Sequence, residues 1–128
     1  MPPYQFKQQL KRYISQYGEP DPLTRHLILI GDEVGEPLRA LEPYVKDWER
    51  TVAWMQKNGI GLEEYDYDLF IRSSLDSVLM LANEQQLVSY ESRIEKSDLI
   101  FCSLTLDENG SSTADRTVKE WWLKRIPR

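Results

Sequence analysis

The sequence predicts an all-α fold, a compact bundle of about five helices. Three observations point there: apolar residues recur at steps of three and four, helix start and stop residues bracket those runs, and the connections are short. A chain of 128 residues that is 41% hydrophobic can bury one core without a disulfide or a structural metal. Residues 1–128 therefore read as a single helical domain.

The first helix carries Phe6, Leu10, Tyr13, Ile14 and Tyr17 on one face, with Lys7, Gln8, Lys11 and Arg12 on the other. Gly18 and Pro20 end it near Tyr17. Asp21 then supplies a side-chain acceptor for free helical amides, and Pro22 suits a first helical position because it has no N–H to leave unpaired. Leu23, Leu27, Ile30 and Val34 form the second helix's stripe. The run Leu27-Ile28-Leu29-Ile30 before Gly31-Asp32 also fits a buried strand, so the alternative is an α+β fold with short strands near 26–31 and 99–106.

Leu38, Leu41, Val45, Trp48, Val52 and Met55 alternate steps of three and four, the seam of a helix packed along its length. Trp48 belongs in the core. Pro43 marks either a kink in this helix or its true start, and Asn58-Gly59 closes it before a Gly59-Ile60-Gly61 hinge. Residues 62–84 form the fourth helix, acidic at its start, with Ile71, Leu75, Val78 and Ala82 inward and Phe70 and Leu79 widening the stripe. Leu87, Tyr90, Ile94, Phe101 and Leu104 mark a fifth, although Ile100, Cys102, Leu104 and Leu106 also alternate as in a strand. A last short helix is expected over 114–126, with Thr113 as its cap and Pro127 as its stop.

A net charge of −5 argues against nucleic-acid binding by the surface as a whole, since neutralising phosphate takes an excess of Lys and Arg. The charge is uneven. Residues 111–128 carry +3, leaving −8 on residues 1–110. The expectation is that this basic segment docks on the acidic body, with Trp121 or Trp122 filling an apolar groove and Lys119, Lys124 and Arg125 near carboxylates. Undocked, it would be an arm for nucleic acid or an anionic membrane. The first residues show no leader pattern, and the longest apolar run is far short of the roughly 18 residues of a membrane span, so a soluble, cytoplasmic protein is expected. Cys102, the one cysteine, reads as a small buried residue rather than a reactive thiol.

His26 is the single histidine, which removes most catalytic and zinc constellations and reads as a half-buried helix residue. Gly31-Asp32-Glu33-Val34-Gly35-Glu36-Pro37 has neither the spacing nor the charge of a phosphate loop. Nothing orders a nucleophile, a base and an oxyanion site, so a binding protein is expected rather than an enzyme, and no cofactor is implied.

The feature that points to function is the acidic run Glu63-Glu64-Tyr65-Asp66-Tyr67-Asp68. Carboxylates interleaved with tyrosines offer charge and contact area to a basic protein partner, so these six residues are the expected partner-binding site. An immunity or antitoxin-type inhibitor is one concrete form of such a protein; oligomeric state is not legible. In the alternative reading, Glu64 and Asp68 share one helix face, Glu95 and Asp98 share another, and facing carboxylate pairs can hold Mg²⁺. Over residues 63–98 this resembles the Glu-Glu-x-x-Glu and Glu-x-x-Asp arrangement of the all-α nucleotide pyrophosphohydrolases, with Tyr67 in place of the third glutamate. That resemblance implies a Mg²⁺-dependent nucleotide hydrolase with Glu64, Asp68, Glu95 and Asp98 as ligands.

Overall fold

A computed structural model describes residues 3–32 and 34–128, with side chains from Gln5 onward. Met1 and Pro2 of the expected leaderless start, and Glu33 in the connection after the second helix, lie outside the described residues. Five helices follow in order among the described residues: α1 (Pro3–Tyr17), α2 (Pro22–Leu29), α3 (Glu42–Asn58), α4 (Tyr65–Leu79) and α5 (Glu84–Ser103). The fold is an all-α bundle. Its only sheet among these residues is one antiparallel pair, β1 (Thr105–Leu106) with β2 (Ile126–Pro127).

Local chemistry sets the helix ends. Asp21 accepts hydrogen bonds from the Thr24 amide and hydroxyl, both at 2.9 Å, with Pro22 in the first helical turn. This start, together with the burial of Leu23 and Leu27, decides for helix over strand at 26–31. His26 lies on its exposed face. Pro43 stands in the first turn of α3 and marks its start, not a kink. Leu38 therefore falls in a preceding 3-10 turn (Pro37–Arg39) and is 40% exposed, so the buried seam begins at Leu41. Gly59, at φ 80°, ends α3 in a backbone conformation that disfavours a side chain.

α5 opens with a capping box, Asn83 accepting from the Gln86 amide and Gln86 accepting from the Asn83 amide, each at 2.9 Å. The buried Gln86 side chain also donates to Pro37 O and Asp21 Oδ2, tying the start of α5 to the cap of α2. α5 runs through most of 99–106, and strand survives only at Thr105–Leu106.

α3 lies centrally against α4 and α5, with Leu41, Val45, Trp48, Val52 and Met55 fully or almost fully buried. α4 is shorter than expected and turned: Tyr65, Leu69, Arg72, Leu75 and Val78 point inward, and Phe70 is 62% exposed. The expected helix over 114–126 is absent. The chain instead makes turns, enters a 3-10 turn (Trp121–Lys124) through Glu120 in the left-handed region at φ 54°, and ends in β2. An α-helix would set adjacent Trp121 and Trp122 about 100° apart. Here both are buried, edge to face at 5.8 Å.

Candidate functional site

Trp54 interrupts the logic of α3. It lies one step off the buried seam, so it emerges on the stripe shared by Thr51, Trp54 and Asn58, and it is 62% exposed. Residues 59–64 then turn the chain into α4, with Glu64 at its cap and Tyr67 and Asp68 in its first turn at helical spacing. A cleft of about 490 Å³ results, lined by Thr51, Trp54, Glu63, Glu64, Tyr67 and Asp68. A second, of about 400 Å³, shares Trp54, Glu63 and Glu64 and extends past Gly61 and Leu62, so the two form one trough.

The trough's rim is apolar as well as acidic. Leu62 is 78% exposed and Tyr67 is 65% exposed, and the Tyr67 and Phe70 rings stack at 6.4 Å between centroids. Large apolar side chains grouped in water and edged by charge mark interaction surfaces. Burial, and then the neighbouring Glu64 carboxylate, hold the Asp68 carboxyl above its ordinary value. Among the described residues, ion pairs are made by Arg72, Arg93 and Arg116. None reaches Glu63, Glu64, Asp66 or Asp68, so no ion pair among the described residues compensates this acidity.

Tyr65 departs from the expected set. It is buried, its hydroxyl donates to Arg125 O at 2.7 Å, and its removal from water pushes its acidity to about 12. It anchors the carboxy-terminal segment and leaves only 9% of its surface exposed. Trp54 and Leu62 are the lining residues that sequence reasoning missed, with Phe70 stacked behind Tyr67. The legible signal was a tryptophan out of step with its own helix's seam.

The carboxylates of the magnesium reading are placed differently from one another. Asp98 is buried, accepting from Trp48 Nε1 at 2.9 Å and from Arg72 Nε and Nη2 at 3.0 and 3.1 Å. Glu95 takes a two-pronged contact from Arg116 at 2.7 and 2.8 Å. Glu64 and Asp68 line the trough. Among the described residues, no group of three or more His, Cys, Asp or Glu converges to hold a metal ion. Cys102 is buried, and that burial raises its thiol above the ordinary range, which disfavours the thiolate form.

No helix among the described residues is long and apolar enough to cross a membrane. Comparison of the chain with protein-family models, curated proteins and solved structures finds no match in any of the three.

Proposed function

We propose that this protein is a small acidic binding module that works by protein–protein contact, its binding surface being the trough between α3 and α4 lined by Glu63, Glu64, Tyr67 and Asp68, with Asp66 adding charge from the same exposed helix start. One observation carries the reading: exposed aromatic side chains and unpaired carboxylates occupy the same face. Each alone has an ordinary explanation. Carboxylates at a helix start complement its dipole, and single exposed apolar side chains are common. Together they supply what a protein interface uses, aromatic area for contact and a field that steers an oppositely charged partner.

The partner on this reading is basic, as a nuclease or another nucleic-acid-binding protein is, and an immunity or antitoxin-type inhibitor is the concrete form. Glu63, Glu64, Asp66 and Asp68 are on the surface, so changing them to Gln and Asn leaves the core intact. A photo-cross-linking residue at position 67, in cells of the source organism, should trap one dominant partner. That adduct should disappear in the four-fold neutralised chain and from a cross-linker at Glu91, exposed on α5. Equal adducts from both positions, or no change on neutralisation, would reject this face as the binding surface.

A further inference from the structure

The lining of the trough selects its occupant by chemistry. Its six main residues include two aromatic rings and three carboxylates, and no lysine or arginine. A wholly apolar occupant would strip water from those carboxylates without replacing it, and an acidic one would be repelled. A cationic side chain satisfies both components.

Of the two cations, arginine fits better. A lysine ammonium is a compact, strongly hydrated point charge, whereas a guanidinium stacks flat on an aromatic ring while its N–H fork meets carboxylate oxygens. The protein's own core uses this chemistry. Arg72 lies 4.5 Å from the ring centroid of Trp122 and grips Asp98 through Nε and Nη2. Inside, the arginine is supplied by α4; in the trough, rings and carboxylates stand without one.

Building on the binding-surface reading above, we propose that the trough receives an arginine side chain of the partner protein, stacked on Trp54 and hydrogen-bonded to carboxylates of Glu63, Glu64 and Asp68, with an apolar residue beside that arginine covering Leu62. The trough is long enough to accept the neighbour because its two clefts join through Trp54, Glu63 and Glu64.

The test is an NMR titration of the full ¹⁵N-labelled chain at near-physiological salt with three capped tripeptides, Leu-Arg-Leu, Leu-Lys-Leu and Leu-Gln-Leu. The arginine peptide should give saturable shifts at the Trp54 indole and the amides of 62–68, binding about two- to fivefold tighter than the lysine peptide, as expected for one exposed cation–π contact. The glutamine peptide should not saturate. Trp54→Ala should remove the preference for arginine over lysine, and Glu64→Gln with Asp68→Asn should weaken both cationic peptides. All three positions lie outside the fully buried core, so the variants keep the fold. Four results overturn the proposal: no saturable shift, equal affinity for arginine and lysine, shifts unaffected by Trp54→Ala, or the same signals moving with protein concentration alone. The last would mean a second copy of the chain covers the trough. Should the peptides fail while the position-67 adduct still depends on the carboxylates, only the arginine assignment falls.

Discussion

Asp98 serves three donors at once, the Trp48 indole and two nitrogens of Arg72, with Trp122 stacked on the guanidinium. Both members of the ion pair are about 95% removed from water. A buried charge is tolerable only while its partner is present, so Asp98→Asn should cost about 3–5 kcal/mol in urea unfolding, and changing Arg72 to Met in the same chain should recover part of that loss. An unchanged unfolding midpoint would contradict this account of the core. Asp68 shows the opposite environment. Its carboxyl titrates above the ordinary value, about 3.9, because burial and Glu64 disfavour its charge. A raised folded value means its contribution favours the folded state at low pH and is lost as pH rises through its titration. A cation needs it ionised, so affinity for the arginine peptide should climb as pH rises through the same range, and Asp68→Asn should flatten that climb. Titrations across that range read both.

Between elements, α3 and α5 are clamped by Arg93, which bonds Glu42 and Glu49 at once. Those hydrogen bonds hold both glutamates below their ordinary value. The sign is therefore opposite to that of Asp68: the clamp stabilises at and above the ordinary glutamate value, about 4.3, and fades as pH falls through the depressed ones. Arg93→Gln should make stability less sensitive to acid over that window, as read from urea midpoints; an unchanged acid limb would place the sensitivity elsewhere. The carboxy-terminal segment is held differently. Arg125 is buried and donates to the carbonyls of Cys102, Thr105 and Ser112 and to the Thr105 hydroxyl at 2.8–3.1 Å, not to a carboxylate. Trp122 fills the bundle and donates to Ser73 Oγ at 2.9 Å. Trp122→Ala should cost about 3–5 kcal/mol. Because burial dominates, truncation after Gly110 should lose stability as much at high salt as at low; a loss confined to low salt would mean that charge, not burial, holds the segment. Helices with local signals were legible in the sequence: Asp21-Pro22, the 41-to-55 seam and Gly59 each carry their own physics. The segment's path was not, because an arginine caged by distant carbonyls and two adjacent buried tryptophans leave no periodic trace. The turn of α4 was also hidden, since Phe70 and Leu69 are equally apolar and only packing chooses between them.

For the whole molecule, the arrangement of charge separates structure from surface. Arg72, Arg93, Arg116 and Arg125 are engaged with other parts of the chain, pairing Glu42, Glu49, Glu95 and Asp98 or capping carbonyls. Among the described residues the carboxylates at Glu63, Glu64, Asp66 and Asp68 have no such engagement, and Glu63, Glu64 and Asp68 line the trough with exposed rings. Half of the candidate site could be read from composition alone, the acidic run. The other half, Trp54 and Leu62, required knowing that the six-residue connection 59–64 brings the end of α3 beside the start of α4. If the trough is the binding surface, its field should act on encounter and its rings on residence. The decisive measurement is the association rate with the cross-linked partner, purified, as a function of salt, for the native chain, the four-fold neutralised chain and Trp54→Ala. The account predicts that neutralisation slows association by about tenfold or more at low salt and removes most of its salt dependence, while Trp54→Ala leaves association nearly unchanged and speeds dissociation. Identical association rates for the native and neutralised chains at low salt would contradict it.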